Sequence, residues 1–528
     1  MSSASEHSRF ASIFAAGTLF SRVLGMVRDM VWMAYLPKAS RDAFIIAFKF
    51  PNMLREIVGE GASNAAFVPV FSESLESKSD EEFKRLVSSV MSAMIVLLAL
   101  LTIGGILALP TIIQSMTVLD TFTQKAPITP EKLALVSQLS KWTFPYLFFI
   151  CLSVFCMAPL FTLNHYTTPS WSPALLNISF IACAVLFRNA FAEPAHALVL
   201  GAWLGGIAQL VAQYVALVRV SGIRYPSFEL MHPGIRKVLF LLIPVLIGQS
   251  AGEVNRLVDT LMAYSLPDEG TVSSLFIANR LVQLPLSIFA VATSVAILPT
   301  LSRLHTKKDY DELRSTLLQG LRQSFYFIMP AMAGLFILGQ PVISLLFERG
   351  EFDATETSRA ATALAYYAGG LLAFAWVKVT VTGFYAMQDT RSPVIIASCA
   401  MLFNILLNFA LIGPLGYKGL ALSTTISYSL NCLALYALLN HRIGGLWHRD
   451  YLESLIRIIL ATAFMSSIAY GTWLLSTRWF DDTVLLGKLA IALLPIAASI
   501  IAYAILSKAF AIKEFDHFLE GLKRRSKR

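Results

Sequence analysis

The sequence predicts an all-α polytopic membrane protein with about fourteen transmembrane helices. Two observations carry this prediction, the composition and the spacing of apolar runs. Of 528 residues, 56% are hydrophobic and 14% are charged, whereas soluble domains carry about 25% charged residues. A mean hydropathy of +0.65 at this length exceeds what one soluble core can bury. Apolar runs of about 20 residues recur along the chain, and each can cross a bilayer core about 30 Å thick. A soluble globular domain is therefore excluded.

The apolar runs define the elements in order. The predicted spans are residues 10–36, 42–71, 86–114, 137–163, 171–189, 196–218, 236–265, 271–301, 313–340, 358–387, 391–413, 418–440, 454–475 and 485–507. Because this number is even, both termini lie on one side of the membrane.

Charge selects that side. The amino terminus, the even-numbered loops and the tail carry about 23 Lys and Arg residues, against about 11 on the other face, so the positive-inside rule places both termini in the cytoplasm. The basic tail, residues 511–528, favours an anchor against anionic lipid over nucleic-acid binding. We expect no nucleic-acid partner.

A weak internal repeat divides the chain. The segments PVFSE at 69–73 and DEEFKR at 80–85 reappear as PTLSR at 299–303 and DYDELR at 309–314. The offset equals six helices, an even number, so both halves have the same orientation, as in transporters built from parallel repeats. The predicted domains are an amino-terminal lobe at 1–220, a carboxy-terminal lobe at 221–445, two extra helices at 446–510 and the tail at 511–528.

The motifs of nucleotide-dependent and zinc enzymes are absent. The sequence has neither a GxxxxGK[ST] loop nor an HExxH pair. Residues 248–252 match the nucleophile-elbow pattern, but they lie in a predicted membrane helix with no strand before them. Gly201 and Gly205 form a GxxxG pair, which favours close helix packing over dimerisation. We expect no enzymatic activity and no cofactor.

Charged residues inside the predicted spans are concentrated in a few helices. Each costs about 2.5 kcal/mol or more on insertion scales, so such residues face a cavity or a partner. These residues are Arg22, Arg28 and Asp29 in the first helix, Lys49, Arg55, Glu56 and Glu60 in the second, Glu253, Arg256 and Asp259 in the seventh, Arg280 in the eighth and Lys378 in the tenth.

Three of these arginines favour an anionic substrate. Arg28, Arg55 and Arg280 lack an obvious full complement of acids, and a guanidinium keeps its charge and offers a planar fork of donors suited to phosphate. The structural alternative is that they pair with carbonyls or with acids such as Asp29 and Glu56 to hold one conformation. By contrast, the three-residue spacing of the seventh-helix charges favours a self-neutralising cluster.

A coupled cation is a further possibility. Asp259, Asn404, Asn408 and Thr424 offer hard oxygen ligands of the kind that suits Na⁺. The alternative for the same residues is ordinary hydrogen bonding between helices.

The first helix also resembles a known family. Residues 21–29, SRVLGMVRD, resemble the first-helix signature of the MurJ/MviN lipid II flippases, and the resemblance extends in order over the chain. Further matching segments are DAF at 42–44, FPNMLR at 50–55, EGA at 60–62, AFVP at 66–69, ANRL at 278–281, ILP at 297–299, LFERG at 346–350 and GFYA at 383–386.

The resemblance implies a multidrug/oligosaccharidyl-lipid/polysaccharide exporter fold, with two six-helix lobes and two extra helices lining a groove for a lipid tail. The implied substrate is lipid II, the undecaprenyl-pyrophosphate-linked disaccharide-pentapeptide, moved across the bacterial inner membrane for peptidoglycan synthesis. Membrane lipids are the other expected partners, and the expected oligomeric state is monomeric.

The resemblance also implies site residues. The family's essential arginines correspond to Arg22, Arg28, Arg55 and Arg280, with acidic companions and serines lining the cavity. The complete predicted set is Ser21, Arg22, Arg28, Asp29, Asp42, Arg55, Glu60, Ser273 and Arg280.

The chain departs from some family members at Asn279 and Gln283, where those members carry acids. A mechanism that needs a carboxylate there is therefore in doubt for this chain.

Without an ATP motif, the membrane potential is the expected energy source, because outward movement of negative charge across an inside-negative membrane is favourable. Three rivals remain. An exporter of another polyprenyl-linked glycan would share the phosphate site. A drug or cation antiporter would need an acid-rich cavity. A non-transporting scaffold would not explain the arginines.

Overall fold

The computed structural model describes residues 3–60, 66–77, 79–119, 128–223, 226–227, 229, 232–445 and 449–526, excluding some side chains within these ranges. The regular structure of this part of the chain is entirely helical, which confirms the predicted class.

Twenty α-helices are numbered in chain order. They are α1 Ser3–Tyr35, α2 Lys38–Leu54, α3 Val68–Ser77, α4 Asp80–Gln114, α5 Pro130–Thr143, α6 Tyr146–Thr162, α7 Thr167–Trp171, α8 Pro173–Phe187, α9 Ala195–Ser221, α10 Pro233–Tyr264, α11 Thr271–Pro285, α12 Val291–Thr306, α13 Tyr310–Phe347, α14 Ala354–Ala368, α15 Leu371–Ala386, α16 Arg391–Leu415, α17 Tyr417–Ile443, α18 Arg449–Trp479, α19 Leu485–Ala509 and α20 Lys513–Ser526. Two π-helical turns, Arg55–Glu60 and Leu286–Ala290, and a 3₁₀ turn, Ser115–Leu119, adjoin them.

Ten spans of the described chain are long and apolar enough to cross a membrane, or eleven if α14 and α15, bent by 44°, form one span. Each corresponds to one predicted span. The other three predicted spans, 10–36, 42–71 and 236–265, fall on α1, on α2 with α3, and on α10. These helices carry most of the charged residues that fall within the predicted spans. The count of fourteen therefore stays a prediction.

The chain forms two compact units. The first comprises Met1–Ser273 with Arg349–Phe352, and the second comprises Ser274–Glu348 with Asp353–Arg528. Helix α10 thus groups with the first unit, whereas the sequence repeat assigns it to the second half. The predicted domain boundaries at 220, 445 and 510 stay predictions.

In the first unit, small residues let helices approach closely. A Cβ at Gly201 of α9 would lie 3.0 Å from the Cα of Phe180, and one at Gly205 would lie 2.8 Å from the Cα of Leu176, both on α8. Side chains at these positions would separate the helices. The glycine pair therefore serves packing within the unit, as the sequence predicted.

In the second unit, the hairpin of α18 and α19 packs against α13. The shared apolar cluster includes Phe325, Tyr326, Ile458 and Tyr503. The hydroxyl of Tyr503 also donates to the carbonyl of Tyr326 at 2.8 Å. The two helices outside the predicted repeat are thus integral to the core of this unit.

The same turn follows α6 and α15, at equivalent places of the predicted repeat. Asn164 and Gln388 have positive φ angles of 58° and 61°. The next residue then donates back across the turn, His165 N to Leu160 O at 2.8 Å and Asp389 N to Phe384 O at 3.0 Å. This is the hydrogen bond of a Schellman helix end. The same turn also follows α12 at Lys308 and α19 at Ala511, so it is a general helix ending in this chain, and the parallel repeat stays a prediction.

Candidate functional site

The guanidinium of Arg28 on α1 is surrounded by partners within the first unit. Its Nε and Nη2 donate to Asp29 Oδ1 at 3.0 and 2.7 Å, and its Nη1 donates to Asn177 Oδ1 at 3.2 Å. Its Cζ lies 4.6 Å from the ring centre of Trp32 and 5.7 Å from that of Phe180. Cation–π contact and charge-assisted hydrogen bonds together hold the side chain in one place.

Two further residues of the predicted site, Ser21 and Arg22, lie on the same helix. The amide nitrogen of Asn177 donates to the Ser21 carbonyl at 3.1 Å, which fixes this turn of α1 against α8. Arg22 is exposed and makes no hydrogen bond or ion pair with the described part of the chain. Arg28 is thus held by neighbouring side chains. Arg22 on the same helix has no such hydrogen bond or ion pair among the described residues.

The second-helix charges lie where α2 passes into a π-helical turn. Pro51 sits inside α2, and the π-helical turn begins at Arg55. Arg55 Nε donates to Asn52 Oδ1 at 3.0 Å, and its Nη2 lies 3.7 Å from Glu56 Oε1. Asn52 Nδ2 donates to the same Glu56 oxygen at 2.8 Å. π-helical turns are frequent at functional sites because they redirect side chains.

Helix α10 adds opposite charges to this cluster. Arg256 contacts both Glu253 and Glu56, the latter at 3.3 Å, and Lys49 Nζ lies 3.9 Å from Glu253 Oε2. Asp259 accepts from Asn255 at 3.4 Å. The sequence predicted that the charges of α10 neutralise one another. In the structure, Arg256 is neutralised partly by Glu56, which lies in the π-helical turn after α2.

For Arg28 and Arg55 the sequence left open contact with an anionic substrate or pairing with acids such as Asp29 and Glu56, and the structure shows that both are paired. Each pairs with the acid that follows it directly in sequence, Asp29 or Glu56. Helical spacing rules consider residues three or four apart, and they overlook a long arginine side chain that folds back onto its neighbour. Both arginines combine the roles that the sequence left as alternatives: each is structurally paired, and each stays partly accessible at 14% and 20% exposure.

Asp42 and Ser273 form a buried contact. Asp42 Oδ1 accepts from the Ser273 backbone at 2.9 Å and from its hydroxyl, and Oδ2 accepts from Gly270 N at 2.8 Å. The carboxylate therefore caps the first turn of α11 from outside that helix. Both side chains are buried, and Asp42 borders a small pocket that Lys132 and Tyr264 also line. Their substrate roles stay predictions.

Arg41 is the residue that sequence reasoning missed. It is fully buried, and it donates to Ser273 Oγ at 2.9 Å and to the carbonyls of Met33 at 2.9 Å and Leu36 at 3.4 Å. Its Cζ lies 5.4 Å from the ring centre of Phe352. The sequence analysis gave Arg41 no role, and the adjacent Arg–Asp pair was the available signal of a network.

The segment Arg349–Phe352 docks on the end of α1. Glu351 N donates to the Ala34 carbonyl at 3.1 Å, and Phe352 is buried. Gly350 has a φ of +60°, and a Cβ there would clash with the Ala34 carbonyl. Glycine is required because this close approach and this backbone conformation exclude a side chain. The matching segment LFERG thus ends at a docking point.

Glu60 and Arg280 are the remaining residues of the predicted site. Glu60 ends the π-helical turn, and its side chain lies outside the described residues. Arg280 lies on α11 in the second unit. Beside it, Gln283 Nε2 donates to Asn279 Oδ1 at 2.5 Å. These two amides are thus joined by their own hydrogen bond.

The proposed sodium ligands of the second unit form hydrogen bonds with neighbouring groups. Asn408 donates to Asn404 at 3.2 Å and accepts from the Ser423 hydroxyl, while Thr424 donates to the Leu420 carbonyl at 3.0 Å. Asp259 belongs to the first unit. Among the residues the structure describes, no group of three or more His, Cys, Asp or Glu could hold a metal. The hydrogen bond between Ser423 and Asn408 joins α16 and α17, and coupling to sodium stays a prediction.

Residues 37–510 match the family model described as lipid II flippase MurJ. The chain belongs to this family. A probable lipid II flippase MurJ of Vibrio cholerae is 35% identical over 490 residues, which are 90% of this chain and 92% of that protein. Membership in a transporter family and many apolar helices identify a multi-pass membrane protein.

Solved structures agree with the MurJ assignment. A lipid II flippase MurJ in an inward closed conformation matches with a TM-score of 0.75 and 26% identity, covering 94% of this chain and 99% of that one. An inward-facing multidrug resistance MATE transporter of the MOP superfamily matches with a TM-score of 0.65 and 14% identity, covering 82% and 98%. The latter likeness shows the shared fold alone.

Proposed function

We propose that this chain is a lipid II flippase, which moves undecaprenyl-pyrophosphate-linked disaccharide-pentapeptide from the cytoplasmic to the periplasmic leaflet of the bacterial inner membrane by alternating access. Family membership over residues 37–510 supports the assignment. The structural observation that carries it is Arg28, a partly accessible guanidinium held on α1 by Asp29 and Asn177. Both termini lie in the cytoplasm, and the chain acts as a monomer.

The chemistry of the substrate fits the arginines. A pyrophosphate needs donors that replace its water, and charge-assisted hydrogen bonds contribute about 1.5–3 kcal/mol each. Arg28 and Arg55 keep part of their surface accessible while paired, and Arg22 is exposed. Arg280 completes the proposed set. The polyprenyl tail stays in lipid beside α18 and α19.

The membrane potential drives or resets the cycle. Each negative charge that moves outward gains about 2.3 kcal/mol per 100 mV. Collapse of the potential at a constant pH gradient is expected to stop lipid II export in right-side-out vesicles. Undiminished export would rule this energy source out. Coupling to Na⁺ through Asp259, Asn404, Asn408 and Thr424 is the alternative, and unchanged export after sodium replacement would remove it.

Among the rivals, an exporter of another polyprenyl-linked glycan retains the most support, because it would use the same phosphate contacts. A cation antiporter would need unpaired acids, whereas Glu56 and Glu253 are paired with arginine.

A replacement assay tests the proposal. This chain is expressed in a bacterium depleted of its own lipid II flippase, and arrival of labelled lipid II in the outer leaflet is measured. We expect export by the wild type and loss of at least tenfold in Arg28→Ala and Arg280→Ala at equal membrane levels. Arg85→Ala is the matched control, because Arg85 pairs with Glu229 in the exposed region around the start of α4. No export by well-inserted wild-type protein would contradict the proposal.

A further inference from the structure

Asn177 has a buried side-chain amide, and its oxygen and its nitrogen form hydrogen bonds with different residues of the predicted site. It lies on α8 and is 7% exposed. Its Oδ1 accepts from Arg28 Nη1 at 3.2 Å, and its Nδ2 donates to the Ser21 carbonyl at 3.1 Å. Longer contacts reach Ser21 Oγ at 3.4 Å and the Pro173 carbonyl at 3.5 Å. The side chain of Asn177 thus connects α8 to α1 at both Ser21 and Arg28.

We propose that Asn177 is a positioning residue for the anionic headgroup, which acts by holding the guanidinium of Arg28 in the orientation that receives a phosphate. This inference rests on the proposed function. An arginine side chain is flexible, and ordering it at the moment of binding costs conformational entropy. Partners that order it beforehand remove that cost from the binding step.

The count of donors shows what the arrangement leaves for a ligand. A guanidinium has five N–H donors. Asp29 takes one from Nε and one from Nη2, and Asn177 takes one from Nη1. Within the described part of the chain, one N–H on each terminal nitrogen has no hydrogen-bond partner, and the side chain is 14% exposed. Two donors on neighbouring nitrogens match two oxygens of one phosphate group.

Packing alone does not explain an amide at this position. A Cβ at Gly17 would lie 2.8 Å from the Ser170 carbonyl, so α1 already approaches α7, the short helix directly before α8, closely. Farther along, the rings of Trp32 and Phe180 meet edge to face with centres 4.9 Å apart. An apolar residue at position 177 would fit such an interface without the desolvation cost of a buried amide. The amide is therefore explained by the polar groups that it orients.

The experiment measures binding of lipid II to the purified full-length chain in nanodiscs. It also measures binding of undecaprenyl pyrophosphate, a probe that keeps the pyrophosphate and lacks the disaccharide-pentapeptide. Asn177→Ala is expected to weaken both affinities about tenfold. In an Arg28→Ala background the same change is expected to cost less than twofold, because the residue acts through Arg28. Asn177→Ser is a second variant with the same expectation, should Asn177→Ala insert poorly.

Gln213→Ala is the matched control. Gln213 is a fully buried amide on α9 that donates to Ser172 Oγ at 2.6 Å. Its removal is expected to lower the melting temperature as much as Asn177→Ala does, while affinity stays within twofold of the wild type.

Three outcomes would overturn the inference. Equal affinities of the Asn177→Ala and Gln213→Ala proteins would assign Asn177 a packing role. Additive losses in the Asn177→Ala and Arg28→Ala double variant would show that the amide does not act through Arg28. Failure of the wild type to bind either probe would instead overturn the proposed function and, with it, this inference.

Discussion

Single residues in this protein combine burial with charge, and Arg41 is the strongest case. Its side chain is fully enclosed, yet its donors reach Ser273 and two carbonyls at the end of α1. A buried guanidinium is stable only when its donors are satisfied, because desolvation of the charge is costly. The neighbouring Asp42 caps the first turn of α11 at the same place. Arg41 therefore joins the end of α1 and the start of α2 to Ser273, which is distant in sequence.

We expect Arg41→Ala to lower the free energy of unfolding by about 3 kcal/mol, the magnitude found when a buried ionic contact loses one member. Arg41→Lys is expected to recover less than half, because an ammonium cannot reproduce the guanidinium fork. Thermal unfolding of purified protein measures both. Arg85→Ala, at an exposed ion pair, is the control with a small effect. Equal melting temperatures for Arg41→Ala and the control would contradict the expectation.

At the scale of elements, the turn before α16 is held by hydrogen bonds and an ion pair at one carboxylate. In the turn before α16, Asp389 accepts from the backbone of Arg391 and Ser392, both at 3.0 Å. The Ser392 hydroxyl donates to it at 2.6 Å, and Arg442 at the end of α17 contacts the same carboxylate. An acid in this position caps the helix and interacts favourably with its dipole. The turn thus joins three helix ends.

The hydrogen bond from the Ser392 side chain, then its backbone and Arg442, lower the pKa of Asp389 from 3.8 to about 2. Because the pKa is lower in the folded state, this carboxylate stabilises the protein above pH 4, and the contribution is lost as the pH falls towards 2. The melting-temperature difference between wild type and Asp389→Asn is therefore expected to be constant from pH 8 to 5 and to shrink below pH 4. Ser392→Ala should reduce the same difference. A difference independent of pH would contradict this.

At the scale of the whole molecule, the two extra helices are held to the second unit at both ends. Near α20, Arg322 of α13 donates to Glu514 Oε1 at 2.6 Å, and Ser454 of α18 donates to the same carboxylate at 3.2 Å. At the other end of α13, Lys488 of α19 lies 3.0 Å from Glu348. Apolar packing between these two points completes the attachment. We expect the hairpin to move with α13 during transport.

Glu514 tests this attachment, because its side chain is buried and its loss leaves Arg322 without its carboxylate partner. We expect Glu514→Ala to destabilise the protein by about 1–3 kcal/mol and to speed hydrogen exchange in α18 and α20 while α1 and α8 are unaffected. Hydrogen exchange with mass spectrometry measures this. Asp516→Ala, on the same helix, is the control. Uniform exchange changes across the chain would contradict a local attachment.

The sequence by itself determined the helical class, the membrane setting, the family and the intramembrane arginines, because hydrophobic length, charge cost and local motifs are properties of short segments. The tertiary structure decided which charges meet. Pairing of Arg28 with Asp29 and Asn177, the network through Glu56, and burial of Arg41 with Ser273 depend on side-chain direction and on contacts between distant segments. Such contacts arise only when helices pack, because desolvation there makes the nearest complementary group the favoured partner.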